Sequence, residues 1–291
     1  MNEEFESGVS WTPARRNWKL TLAYDGTDYH GWQIQPGQPT IQGELQAALG
    51  RVTGESPLPQ GSGRTDAGVH ALGQVASFAL DAAIPATSLR RALNRTLPAA
   101  IRVLEAEAAP EGFHARHSAI AKTYEYRVFP EKGGGGETLC PPFLVRYVYA
   151  YPWPLSLERM NEAARHFVGT HDFLSFAATD PDAASRERSG GEDEEGAPGA
   201  TAIRTVFASG WEERRGEQGT PEAGTLFVYR VRGNGFLHHM VRNLVGTMLD
   251  VGRGYYEPEV IPGMIRARAR AAAGPTAPAR GLFLHSVEYA D

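Results

Sequence analysis

Hydrophobic and polar positions change period repeatedly along this chain, and each change marks an element. In residues 18–24 Trp18, Leu20, Leu22 and Tyr24 fall on one side, the period of a half-buried strand. Residues 41–49 take up helical spacing directly after Thr40, a residue suited to cap a helix start. Residues 75–78 read as a strand, 88–93 as a short helix ended near Pro98, and 101–107 as the strand that closes the unit. The first half thus runs strand, helix, strand, strand, helix, strand. The second half repeats the theme loosely, with strands at 124–129 and 145–149 and a helix at 156–167. A strand pair at 205–211 and 226–232 comes next, around a long polar loop. Residues 236–251 read as a helix with Leu237, Val241, Leu244, Val245 and Met248 on one face, and 282–289 as a final strand. This order predicts an α+β fold: two ferredoxin-like, or RRM-like, halves whose antiparallel sheets meet at a central cleft.

The pattern also divides the chain. A boundary near residues 110–112 separates an N-terminal α+β domain over 15–111 from a C-terminal α+β domain over 112–291. Residues 1–14 read as a disordered tail. Residues 180–200, rich in Gly, Ser, Glu and Ala without apolar periodicity, read as a disordered insertion, because they bury too little surface to offset ordering entropy. Residues 133–136 read as a smaller flexible tip.

At 291 residues, with 42% hydrophobic and 22% charged positions, the composition is that of a globular protein rather than a disordered one. Cys140 is the only cysteine, which excludes an internal disulfide and any multi-cysteine metal centre and fits a reducing cytoplasm. No apolar run approaches membrane-spanning length, and Glu3, Glu4 and Glu6 stand where a signal peptide would carry positive charge. The expectation is a cytoplasmic protein with no membrane partner. A net charge of −5 runs against a nucleic-acid surface, but three acids lie in residues 1–8 and a net four in 187–196, so the remainder stands at +2. That balance is compatible with RNA. Only Lys19, Lys122 and Lys132 are lysines; the other basic residues are arginines, suited to planar phosphate recognition. A GC-rich genome accounts for most of that bias.

Residues 61–78 read GSGRTDAGVHALGQVASF and carry the chemistry. Gly61, Gly63 and Gly68 surround Arg64 and Asp66 in a segment too glycine-rich for a helix, so an arginine and a carboxylate sit on a bent loop anchored by the strand-like run at 74–78. An isolated Asp-Ala-Gly would read as an Asx-turn bonding its own backbone. The whole string says more. Residues 61–70 resemble the active-site loop of the tRNA pseudouridine synthase A family, whose nucleophilic aspartate falls here at Asp66. Further similar segments occur in order: 23–27 with 29–33, 40–43, 113–116, 122–127, 172–176 and 235–243. The resemblance runs from about residue 18 to about 289 and fails over the first dozen residues and across 179–200.

The resemblance implies the pseudouridine synthase fold and an isomerase that converts uridine to pseudouridine at positions 38, 39 and 40 of the tRNA anticodon stem-loop. It implies a homodimer on one tRNA, without cofactor or metal. That reaction breaks the bond from ribose C1′ to N1, turns the uracil and joins C1′ to C5, so it needs a carboxylate near the sugar and a group to hold the detached base. By resemblance Asp66 is the nucleophile; whether it attacks the sugar or first removes a proton is open. A carboxylate drawn into a cleft needs a basic partner to stay charged, and Arg242, in His-Met-Val-Arg-Asn, matches the family residue in that role. An arginine among Met240, Val241 and Leu244 otherwise snorkels to solvent. Tyr124 matches the tyrosine that stacks on the target base, and Tyr126 shares its side of a strand as an ordinary cross-strand aromatic. Arg64 is the candidate for displacing the target nucleotide or holding its phosphate, with an exposed loop arginine as the plainer reading.

Two alternatives stay beside the isomerase. One is a noncatalytic RNA-binding module that stacks bases on sheet aromatics; a nucleophile on a glycine loop has no place in it. The other is a hydrolase pairing Asp66 with His70. The spacings of His114 with His117 and of His238 with His239 suggest no metal site, since adjacent histidines in a helix rarely chelate one ion.

Overall fold

In the computed structural model, the described residues are 15–133, 136, 137, 139–178, 201–216 and 224–290. The tail expected at 1–14 and the whole of the insertion expected at 180–200 lie outside them, as do residues 134 and 135 of the tip.

The alternating run near the start forms β1 (Arg16–Tyr24), with Trp18, Leu20, Leu22 and Tyr24 buried. Then α1 (Ile41–Thr53) starts where Thr40 accepts a hydrogen bond from the Gly43 amide at 3.3 Å, and ends at Gly54, whose φ of 77° only glycine adopts cheaply. It buries Ile41, Leu45 and Leu49. Next come β2 (Gln60–Gly61), β3 (His70–Leu80), α2 (Ala86–Thr96) and β4 (Ile101–Ala109). The second half contains β5 (Ala119–Pro130), the two-residue hairpin β6 (Lys132–Gly133) and β7 (Gly136–Glu137), and β8 (Tyr149–Tyr151). It continues with α3 (Leu157–Arg165), β9 (Gly169–Asp172), β10 (Ile203–Gly216), β11 (Gly224–Gly233), α4 (Met240–Gly252), α5 (Ile261–Ala267) and β12 (Leu282–Tyr289).

Strand pairing repeats itself. The first half has the order β4-β1-β3, with β2 also on β3, and the second β12-β5-β11-β10, and within each half these neighbours are antiparallel. The expected meeting of the two antiparallel sheets takes the form of one continuous sheet. They join edge to edge: β12 runs parallel to β3, with Phe283 opposite His70 and Leu284 opposite Ala71, so the described strands other than β6 and β7 make one ten-stranded sheet. One connected apolar core backs both halves.

Two element assignments also change. Residues 145–148 form turns rather than a strand, because Leu144 and Val148, four apart, both tuck against Phe129 in a small second cluster while Tyr147 donates its amide to the Leu144 carbonyl. Regular pairing begins only at Tyr149. The helix expected from 236 begins at Met240: His239 has φ 58°, outside the helical region, and the His238 carbonyl is taken by the Ala178 amide at 3.0 Å.

Candidate active site

The parallel seam decides where chemistry can sit. Asp66 lies four residues before His70, the start of β3 at the seam, and Tyr124 is paired with Leu284 on the other side of it. The loop carrying Asp66 is held by residues 24–32. Tyr24 Oη meets Thr65 Oγ1 at 2.9 Å, the Trp32 amide donates to the Thr65 carbonyl at 3.0 Å, and the Gly68 amide donates to the Tyr29 carbonyl at 3.2 Å. Burial pushes the Tyr24 phenol up to about 12, so it serves as a neutral strut. Gly31 must be glycine: its φ is 84°, and a Cβ would stand 2.5 Å from the Thr65 carbonyl oxygen. Gln74 closes the far side, donating to the Gly63 carbonyl at 2.9 Å and accepting from Ser62 Oγ at 2.7 Å.

Opposite this loop, the segment 236–242 supplies three basic groups. Arg242 Nη1 donates to Asp66 Oδ2 at 2.9 Å, while its Nε donates to the Ala277 carbonyl at 2.8 Å. His239 Nε2 is 3.3 Å from the same Oδ2, and His238 Nε2 is 3.6 Å from Oδ1. The two imidazoles pack at a 30° tilt with centroids 3.9 Å apart. Left-handed backbone at His239 brings this about, since it turns both rings toward the carboxylate instead of splaying them around a helix. Burial, reinforced by the charges of Arg242, His238 and Arg270, holds the His239 imidazole below its ordinary pKa against the pull of Asp66, so it is neutral near pH 7. The start of α4 is pinned by Asn243, which donates to the Phe176 carbonyl at 2.7 Å and accepts from Thr276 Oγ1 at 2.6 Å. The amides of the first helical turn add partial positive charge on the Asp66 side.

A cavity of about 100 Å³ opens above the carboxylate, lined by Arg64, Thr65, Asp66, Tyr124, Phe236 and residues 237–241. Tyr124 is mostly buried and meets Phe236 edge-on at 5.2 Å. Behind it, on the opposite face of β5, Glu125 is buried under Arg127 at 2.7 Å, Arg230 at 2.9 Å and Arg214 at 3.3 Å. Burial works against its charge, but the hydrogen bond from Arg127 and the arginine charges outweigh that and hold the carboxyl below its ordinary value. This cluster fixes the strand that presents Tyr124.

The structure thus brings Asp66, Tyr124 and Arg64 to one cavity, with Arg242 held on the Asp66 carboxylate without lining it. Tyr126 faces the core and donates its hydroxyl to the Pro278 carbonyl at 2.8 Å, away from that cavity. His70 is engaged elsewhere: Nδ1 accepts from the Gly26 amide at 3.2 Å, and Nε2 lies 3.1 Å and 3.2 Å from the Arg146 and Arg280 carbonyls. Burial, opposed by Asp25, holds its pKa below the ordinary value, and with Nδ1 accepting from Gly26 and Nε2 facing two carbonyls neither nitrogen is left to act as a base with Asp66. His238 and His239 are the residues that the sequence pattern hides. They stand beside Arg242 in the same motif, but a helix reading directs them apart. With Asp66 they offer three ligand atoms within 4.8 Å of one another, a set that could hold a transition metal. Arg242 places a permanent cation on one of those oxygens and competes with an ion there.

Comparison with known proteins bears on this geometry. Residues 21–118 and 163–290 match the family model described as tRNA pseudouridine synthase. A tRNA pseudouridine synthase A of Solibacter usitatus is 47% identical over 274 residues, covering 94% of this chain and 100% of that relative. The proteins of the same name from Moorella thermoacetica and Bacillus subtilis are 44% and 39% identical, each over 93% of this chain and 98% of their own length.

Proposed function

The chain belongs to the tRNA pseudouridine synthase family, and from that membership we propose that it isomerises uridines at positions 38, 39 and 40 of the tRNA anticodon stem-loop, with Asp66 as nucleophile. The observation that carries the site assignment is one carboxylate, held by Arg242 at 2.9 Å, at the floor of a cavity walled by Tyr124. Arg242 and His239 converge on Oδ2, whereas among the described residues Oδ1 has only His238 at 3.6 Å, beyond hydrogen-bond length. Oδ1 is therefore the oxygen available to the ribose. The C1′–N1 bond breaks, the freed uracil turns against Tyr124, and C5 joins C1′; the proton lost from C5 is balanced by the one gained at N1. Attack on the sugar and prior proton removal both satisfy this geometry. Arg64, on the cavity wall, holds the displaced nucleotide's phosphate.

We read each half as ferredoxin-like on the strength of the repeated strand order. We also propose a cytoplasmic homodimer, the dimer because one small cavity must be combined with reach over a large RNA; light scattering on the purified protein is the check. No metal is invoked, since Arg242 already supplies the positive charge that orients Asp66. The direct test is Asp66→Asn, which abolishes pseudouridine formation while leaving tRNA affinity within about twofold, because phosphate contacts dominate binding. Turnover in a clean preparation of that variant would remove Asp66 from its role.

A further inference from the structure

The larger cavity beside the catalytic one, about 660 Å³, has no part in the chemistry above. Arg64 lines both, so the two are contiguous through one side chain. We propose that this cavity is a second nucleotide subsite, which receives the base and phosphate adjacent to the isomerised uridine on the same RNA strand. The proposal rests on the reading of the small cavity as a uridine site.

Three features of the walls favour a nucleotide. First, Ile34 and Leu58, 41% and 47% exposed, both line this cavity and give it an apolar face in want of a flat partner. Second, Arg64 and Arg116 line it, and the planar guanidinium both stacks on aromatic rings and donates to phosphate. Third, the His114 and His117 rings pack 4.3 Å apart, and His117 is exposed, which offers an imidazole plane of the kind on which unpaired bases stack. A nucleotide combines these demands, an apolar ring face and a phosphate, within one ligand.

The cavity is also preformed. Gln42 accepts from the Ile34 amide at 3.0 Å and donates to the Pro59 carbonyl at 2.8 Å, tying the two apolar rims to the start of α1. Gly61 packs so closely on Trp32 that a Cβ would stand 2.6 Å from the indole, which fixes the floor next to the Asp66 loop. His114 Nδ1 accepts the Arg116 amide at 3.1 Å, so the histidine platform is held by its own backbone turn. Little ordering cost remains to be met on binding.

The experiment measures fluorescence anisotropy of a labelled anticodon stem-loop RNA with wild type, His117→Ala and Leu58→Ala, using intact RNA and two RNAs with an abasic residue 5′ or 3′ of the target uridine. Each variant is expected to weaken the intact RNA about tenfold, the effect of one lost stacked base. For one of the two abasic RNAs, wild type is expected to bind about tenfold more weakly and the variants no more weakly than wild type, because base and platform form one interaction. Penalties that simply multiply for both abasic RNAs, or no weakening in either variant, overturn the subsite. Both replaced side chains are exposed, and a melting curve identifies any variant that misfolds. Binding is read without turnover, so an absence of pseudouridine formation would count against the proposed function and leave this result separate.

Discussion

Arg242 meets Asp66 with one terminal nitrogen only, because its Nε is committed to the Ala277 carbonyl at 2.8 Å. The pairing is a single prong held from behind, not the two-pronged fork that arginine and carboxylate form when unconstrained. The hydrogen bond to Ala277 sets the direction of approach and leaves Oδ1 open toward the cavity.

That division of labour predicts a graded series. Arg242→Met removes both the charge and the anchor, and should lower single-turnover pseudouridine formation by on the order of a hundredfold. Arg242→Lys keeps a point charge but cannot serve both oxygens along the same line, so it should recover only part of the loss. Equal rates in Met and Lys variants would show that geometry, and not charge, is what Arg242 supplies.

His239 shows strain placed at a site. Its φ of 58° is shared among described non-glycine residues only with Arg268, and left-handed backbone of this kind costs about 1–2 kcal/mol. Replacing His239 with glycine relieves that cost while removing the imidazole beside Oδ2. The expectation is a melting temperature unchanged or raised, by up to about 1 kcal/mol in stability, with turnover reduced at least tenfold. Calorimetry and a single-turnover assay on the same sample decide it; a drop in both would mean that the packed His238–His239 pair holds the fold.

Glu125 gives the pH dependence of the strand behind Tyr124. Its folded pKa lies below the unfolded value, so its contribution to stability is fully present above the unfolded pKa and is lost as pH falls through the folded one. Glu125→Gln should cost about 3 kcal/mol near neutrality, the low end for breaking a buried ion pair because Arg214 and Arg230 reach solvent. It should also flatten the fall in stability below about pH 4.5. Chemical denaturation at pH 7 and pH 4 measures both; parallel losses at the two pH values would contradict the assignment.

Legibility in the sequence tracks the range of interaction. β1, α1 and the β10–β11 pair are readable because their periods and caps are local: Trp18 to Tyr24 alternate, and Thr40 caps the helix that starts at Ile41. The resemblance points to Asp66, Arg242 and Tyr124, but not to how they meet. Nothing in the spacing of residues 70–80 or 282–289 announces that β3 and β12 pair in parallel, since register between distant strands is set by tertiary packing. The start of α4 misleads for the opposite reason. Leu237 fits the apolar face of the helix, yet a positive φ at His239, which ordinary propensity disfavours, cuts the helix short and creates the histidine pair. The 145–149 run reads as a strand, but Val148 and Leu144 just before it are buried together on Phe129, four residues apart, as a turn requires.

Gly246 links helix packing to Arg242, because it lies on α4 one turn beyond that arginine and faces the segment that anchors it. A Cβ at this position would run into the Pro275 carbonyl and stand 3.3 Å from the Ala277 nitrogen. The same segment is stitched to α4 by the Gly274 amide on Thr247 Oγ1 at 2.9 Å and the Ala277 amide on the Arg242 carbonyl at 3.1 Å. On helix propensity alone Gly246→Ala would stabilise by about 1 kcal/mol. The steric conflict is with backbone and cannot be relieved by a rotamer, so a net loss of about 1–3 kcal/mol is expected instead. Displacing residues 275–277 moves the Ala277 carbonyl and with it the Arg242 guanidinium, so turnover should fall although Gly246 touches no reacting group. The loss should also overlap with that of Arg242→Lys, which breaks the same hydrogen bond: the double variant should be less impaired than the product of the two singles. Multiplicative effects would mean that Gly246 supports the helix alone, and an alanine variant with wild-type melting and turnover would show that the Ala277 anchor does not orient Arg242.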